Sequence, residues 1–574
     1  MEIIGKRTGK TKHHDPGLRR LPFPIFCTLY ILGLVLAGCA SESGQTVYPP
    51  SPGAVPETGL ATLMASSSSG KFPGMPAGGV PIPAGQSGFS TEEYQRITDN
   101  PFLKALDNPV STFSIDVDTA SYANLRRFLL ESRELPPEDA VRIEEMVNYF
   151  GYSYPAATGE HPVSPTFAMA QAPWQPGHWL LRVALKARDI DTASLPASNL
   201  VFLLDTSGSM HDDNKLPLLK ESLKIMVERL RPQDRVSIVA YAGTTGLILD
   251  AAPGSRKETI IAAFERLQAE GSTAGGAGIM LAYEVAKRNF MIGGNNRVIL
   301  CTDGDFNVGV SSTGELERMI EEKRRENVYL TVLGFGMGNY KDSRMETLAD
   351  KGNGNYAYID NLLEAKKVLG KEIWGNLFAV AKDVKIQIEF NPAAVSEYRL
   401  IGYENRLLSR EDFNDDSKDA GEMGAGQTVT AFYELIPHSA SDPVAGPGAA
   451  SGYLPPPPSE PLEFQRPVLV PSGDLLAFRL RYKLPGDGRE ESRLISTRLD
   501  KESIYGNLDA ADDDFRFACA VIEFGMLLRG SPYRGSASWT TAMERARAAK
   551  GQDREGYRAE FIRLVEMAEL LGNK

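Results

Sequence analysis

Between residues 197 and 378 the chain repeats one pattern. A short apolar run is followed by a stretch with apolar residues every third or fourth position. The runs are Val201–Leu204, Val236–Ala240, Val298–Cys301 and Tyr329–Leu333, and Leu216, Leu219, Leu223, Met226 and Leu230 trace one helical face. Strands without charge on either side must be covered on both faces, and helices between consecutive strands supply that cover. The segment therefore reads as α/β: a parallel sheet with helices on both faces. On either side of it the period changes to two. Leu181, Val183 and Leu185 alternate with Arg182, Ala184 and Lys186, and Val384, Ile386, Ile388 and Phe390 alternate with Lys385, Gln387 and Glu389. The alternation returns at Val429–Leu435 and in Leu476, Phe478, Leu480 and Tyr482. Half-buried strands with one wet face predict an antiparallel, β-sandwich-like region spanning 163–196 and 379–505, with the α/β block 197–378 inserted into it.

The flanks of this pattern are helical or unstructured in composition. Residues 91–160 carry two helical patterns, Tyr122, Leu125, Phe128, Leu129 and then Ile143, Met146, Val147, Phe150 closed by Gly151. Residues 506–574 are helical, with Tyr557, Phe561, Leu564, Val565, Ala568 and Leu571 on one face. A loop at 440–461, containing Pro455–Pro458, cannot pair in a sheet and reads as an exposed, polyproline-like excursion. Residues 39–90 are rich in Gly, Pro and Ser, a composition too poor in large apolar groups to order itself, and read as a tether.

Residues 1–38 are read as an export signal. Lys6, Arg7, Lys10, Lys12, Arg19 and Arg20 precede an apolar run, Leu21 to Ala37, that is broken by Pro22 and Pro24 and ends in Leu36-Ala37-Gly38-Cys39. The run is short of the roughly 20 residues that a spanning helix needs. Its end resembles the bacterial lipobox, which implies that Cys39 is lipidated and becomes the first mature residue. The residue after it, Ala40, is not Asp, which by resemblance to lipoprotein sorting favours the outer over the inner membrane of a bacterial cell envelope. With Cys27 removed and Cys39 lipidated, Cys301 and Cys519 are left, both in apolar runs and expected to be buried thiols.

Composition narrows the chemistry. The chain of 574 residues carries 62 Lys+Arg against 74 Asp+Glu, a net charge of −12, so no basic surplus exists for a nucleic-acid backbone. Six histidines, His13 and His14 among them, leave little imidazole for acid–base or zinc chemistry. Oxygen donors are another matter. The first α/β strand runs into Asp205-Thr206-Ser207-Gly208-Ser209, at the carboxyl end where open α/β sheets bind ligands. Gly271-Ser272-Thr273 follows on a later loop, and the strand Val298–Cys301 ends in Thr302-Asp303-Gly304. Hydroxyls and carboxylates without thiolate or imidazole suit a divalent cation, magnesium first, with calcium or manganese as alternatives.

These residues resemble the metal-ion-dependent adhesion site of the von Willebrand factor type A fold, a Rossmann-like domain. The resemblance implies that Ser207, Ser209 and Thr273 coordinate a cation through hydroxyls and that Asp205 and Asp303 act directly or through water. It also implies an open position for an Asp or Glu carboxylate of a protein partner. Taken singly, Asp205–Ser209 could be a helix cap and Thr302–Gly304 a turn; five such residues in order on three strand-end loops are harder to produce by accident. Stretches 111–122, 135–146 and 419–426 further resemble bacterial lipoproteins that carry a von Willebrand type A domain between N- and C-terminal domains of their own. The function expected is metal-dependent protein–protein interaction by a membrane-anchored envelope protein that is not an enzyme. A metal-dependent hydrolase using the same ion, with Glu270 or His211 as base, and a structural envelope scaffold are the alternatives.

Other motifs carry less. Asp116-Val117-Asp118-Thr119 looks like the nucleophile loop of haloacid-dehalogenase-type phosphatases, but the preceding Ser111–Ile115 is half polar, and a capped helix start is the simpler reading. Asp412, Asn414 and Asp416 imitate a calcium loop, yet Ser417 stands where its turn glycine belongs. The expectation about the anchor is directly testable. Cys39→Ser should abolish labelling with palmitate and leave an unprocessed or soluble precursor, whereas labelling that persists in this variant would show that Cys39 is not the lipidated residue.

Overall fold

The computed structural model describes residues 92–574, except 243–244, 272–274, 305–312, 339, 439–471, 487–490, 501–506 and 573–574. The export signal 1–38, Cys39, the tether up to residue 90 and the loop 440–461 lie outside the described residues. Sixteen strands are described, numbered in chain order. β1 (Leu103–Lys104) and β2 (Val110–Ser114) precede two helices, Ala120–Arg127 and Ile143–Asn148. β3 (Val163–Gln171) and β4 (Trp179–Ala187) follow. Next come β5 (Ser198–Asp205), β6 (Arg235–Tyr241), β7 (Gly246–Pro253), β8 (Asn295–Thr302), β9 (Val328–Phe335) and β10 (Tyr356–Ile359). β11 (Ala379–Phe390), β12 (Val395–Ile401), β13 (Gly421–Gly424), β14 (Thr428–Pro437), β15 (Leu476–Lys483) and β16 (Arg493–Leu499) complete the set.

The α/β block has strand order β10-β9-β8-β5-β6-β7. All its pairs are parallel except β7, which returns antiparallel along β6 as an edge strand. Alternate residues of β5 feed opposite cores: Leu200, Phe202 and Leu204 enter one and Val201 and Leu203 the other. That is why its sequence is apolar without alternation. β4 and β11 bracket this block in sequence but belong to the two other sheets, β1-β12-β14-β4-β3 and β13-β11-β15-β16, the latter with β2 beside β11. Leu181, Val183 and Leu185 from the first sheet share a core with Ile386, Ile388, Phe478 and Leu480 from the second.

Two expectations need correction. The stretch 91–160 is not helical throughout, since β2 pairs with Lys385–Glu389 of β11, and β1 pairs with β12. Ser111, Thr112 and Ser114 in β2 are buried and hydrogen-bonded or flanked by polar neighbours, which lets a half-polar segment sit inside a sheet. The second face of β4 is not wet either. Leu180 and Ala184 pack into a core with the C-terminal helices Asp513–Leu528, Trp539–Ala548 and Tyr557–Gly572. Arg182 on that face reaches Asp512 with two bonds of 2.9 and 3.0 Å, and Asp512 also caps the first of these helices by accepting from Phe515 N. β15, in contrast, keeps the alternation that the sequence shows. Cys301 and Cys519 are free buried thiols in different cores. Among the described residues no helix is long and apolar enough to cross a membrane.

The parts are joined by buried ion pairs. Arg126, on the helix Ala120–Arg127, binds both carboxylate oxygens of Asp360 at 2.7 and 2.5 Å, Glu364 at 2.7 Å and Glu560 at 2.8 Å. One guanidinium thus holds the N-terminal region, the end of the α/β block and the last helix. Arg406 pairs with Asp116, Asp118, Glu346 and Asp350. The Asp116–Asp118 motif is therefore an ion-pair element. Thr119 makes no side-chain cap; Glu145 accepts from Ser121 N in the first turn instead. Removing one member of such a buried set leaves a charge without compensation. Arg126→Met is expected to lower stability by about 3–5 kcal/mol in urea unfolding. A loss under about 1 kcal/mol would mean that Asp360 and Glu364 find another counter-charge or bind protons.

Candidate metal site

Asp205 is the last residue of β5, with its carboxylate fully buried. Its Oδ1 accepts from Ser207 N at 2.9 Å, which turns the chain sharply and sets Ser207 and Ser209 two residues apart on one side. Their hydroxyl oxygens lie 3.0 Å apart, Ser207 buried and Ser209 exposed. Asp205 Oδ2 accepts from Tyr241 at 3.0 Å and from Thr302 at 3.2 Å, the last residues of the two strands that flank β5. Asp303 follows Thr302 and is fully buried. The structure thus brings Asp205, Ser207, Ser209 and Asp303 to one edge of the sheet. Thr273 lies outside the described residues, but its loop is tied to the others where it begins: Gly208 N donates to Gly271 O at 3.0 Å and Glu270 N to Thr206 O at 2.8 Å.

The electrostatics of the site are those of anions held close together. Burial pushes the Asp205 carboxyl up to about 6; the hydrogen bonds from Ser207 oppose this and the charge of Asp303 adds to it. On Asp303 sits a further group, Lys215, whose ammonium donates to Oδ2 at 2.9 Å. The sequence reading names Thr302 in the run Thr302-Asp303-Gly304 but misses Lys215 and Tyr241. For Tyr241 the signal is available, because it ends a strand adjacent to β5 and the register Asp205↔Tyr241 puts it level with Asp205. A lysine before an amphipathic helix carries no such mark. His211 and Glu270, the candidate bases of a hydrolase, are exposed. Among the described residues no hydrogen bond joins either side chain to Asp205, Ser207, Ser209 or Asp303.

The donor set fits a hard cation. Two buried carboxylates and a hydroxyl pair within 3.0 Å present only oxygen, and burial, with the charge of Asp303 adding to it, raises the Asp205 carboxyl. Asp116, Glu145 and Glu346 form a second buried carboxylate cluster, but Arg142 and Arg406 already pair with it.

Comparison with known proteins agrees with this architecture. Residues 199–370 match the von Willebrand factor type A domain, residues 88–182 match a profile described as von Willebrand factor, and residues 375–571 match the YfbK C-terminal domain. The Escherichia coli (strain K12) protein YfbK, described as uncharacterized, is 46% identical over 486 residues, covering 83% of this chain and 81% of its own. The chain belongs to the YfbK family. A more distant relative of this YfbK-family chain is the Synechocystis protein sll0103, 33% identical over 34% of this chain and 45% of its own. A von Willebrand factor type A structure from Catenulispora acidiphila covers 68% of this chain and 88% of its own, at 14% identity and a TM-score of 0.38. This YfbK-family chain carries a von Willebrand type A α/β domain, and none of these relatives' names describes a reaction.

The Asp205 carboxyl makes the cation-free protein sensitive to pH. Its folded value, about 6, lies above the ordinary 3.8. The native state therefore holds the extra proton between these values, and stability falls as pH rises through that window. In EDTA at pH 8, Asp205→Asn should be more stable than the natural chain by about 2–3 kcal/mol, and the gain should vanish near pH 4. Urea unfolding at the two pH values measures it, and an equal effect at both would mean that the charge of Asp205 is not the cause.

Proposed function

We propose that this protein uses the edge of its von Willebrand type A sheet to bind another protein through a divalent cation, and that it does so at a bacterial cell envelope, anchored by lipid on Cys39. The observation that carries this reading is the gathering of Asp205, Ser207, Ser209 and Asp303 at the carboxyl ends of β5 and β8, with hydroxyls at the front and carboxylates behind. In this reading Ser207, Ser209 and Thr273 hold the ion by their hydroxyls, and Asp205 and Asp303 support it directly or through water. Magnesium suits the set best, with calcium or manganese as alternatives. When bound, the cation supplies a positive, unfilled coordination position that an Asp or Glu of a partner can occupy. The chain's own part is to hold the donors. Asp205 fixes the turn through Ser207 N, Tyr241 and Thr302 fix Asp205, and Ser209 is exposed.

His211 and Glu270 are exposed, and among the described residues neither side chain is hydrogen-bonded to Asp205, Ser207, Ser209 or Asp303, which favours binding over hydrolysis. Loss of a donor should abolish cation and partner binding while the fold persists. In the natural chain magnesium should raise stability by about 2.7 kcal/mol at a hundredfold excess over its dissociation constant. Asp205→Ala, Ser207→Ala, Ser209→Ala and Thr273→Ala should lose this gain together with any chelator-sensitive capture of partner proteins. Capture that survives in Asp205→Ala with EDTA present would reject the proposal.

A further inference from the structure

Lys215 is only 5% exposed, and it stands immediately before the helix Leu216–Arg229, on the loop that begins with Ser207 and Ser209. Its ammonium lies 2.9 Å from Asp303 Oδ2, with the Asp303 side chain wholly closed to solvent. The methylene chain passes over Gly336, just beyond the end of β9. A Cβ at that position would fall 2.5 Å from Lys215 Cγ and Cε, and the backbone there has φ +75. Glycine at 336 thus keeps a path open through which Lys215 reaches the carboxylate just after β8.

An ammonium buried with a carboxylate is costly to place, and it adds nothing to the capture of a cation; its charge opposes it. Its benefit lies in the state without the ion, where it sets a positive charge against buried Asp303, itself close enough for its charge to act on Asp205. We infer that Lys215 is a tethered substitute for the cation, which neutralises Asp303 when no divalent ion is bound and gives it up when one is. The domain then folds in both states, and Lys215 sets how tightly the ion is held. This rests on the cation-binding reading above. Because a divalent ion must compete with a charge that cannot diffuse away, removing that charge strengthens its binding.

The experiment uses the full chain, magnesium as the probe, titration calorimetry for affinity and thermal melting in EDTA and in magnesium for stability. Lys215→Met should melt below the natural chain in EDTA, regain the lost stability in magnesium, and bind magnesium about tenfold more tightly or better. Lys215→Arg, which keeps the charge, should follow the natural chain in both measurements. Should Lys215→Met not fold in EDTA, refolding on addition of magnesium supports the exchange, and failure to refold overturns it. Magnesium affinity of Lys215→Met equal to or below that of a natural chain that does bind magnesium overturns the inference while leaving the cation site intact. No binding and no magnesium-dependent shift in either protein overturns the cation reading itself, and this inference with it.

Discussion

One guanidinium decides how the three regions of this molecule can be arranged. Arg126 is buried, and its donors are divided among Asp360, Glu364 and Glu560, so the helix Ala120–Arg127, the far end of the α/β block and the last helix must meet at one point. Arg–carboxylate forks of this kind tolerate little misalignment, because a planar donor set finds paired oxygens only in its own plane. Arg406, with Asp116 and Asp118 from the N-terminal region and Glu346 and Asp350 from the α/β block, repeats the arrangement. The α/β block is thus docked by buried charge as well as by apolar packing, in which Ala120 and Ala123 join the core beneath its sheet.

How much of this could be read from the sequence varies by element, for physical reasons. β5 and β8 were legible because their centres, Val201–Leu204 and Val298–Cys301, are covered on both faces and carry no polar residue. The inserted arrangement was legible because strands of period two stand on both sides of 197–378, and β4 and β11 do lie in sheets that share one core. β2 was not, because its polar residues are satisfied by partners distant in sequence, such as Tyr433 for Ser111 and Gln387 for Thr112. Nor could the covered face of β4 be seen, since Arg182 looks like a solvated residue until Asp512, far along the chain, is brought to it.

The candidate site divides in the same way. Asp205, Ser207, Ser209 and Asp303 follow from the loops that carry them, as a strand-end motif is a local property. The neighbours that give Asp205 its environment are tertiary. Tyr241 and Thr302 reach it through strand register, and Lys215 reaches Asp303 across Gly336. Sequence supplies the donors of such a site, and the fold supplies their electrostatics.

The way the α/β block is attached has a mechanical meaning. The chain enters it from β4 and leaves it into β11, and neither is an edge strand: β4 lies between β14 and β3, and β11 between β15 on one side and β2 and β13 on the other. A load applied at the sheet edge that carries Asp205 is therefore divided between two sheets and enters each through an interior strand. To be torn out, such a strand must break hydrogen bonds along both of its sides at once.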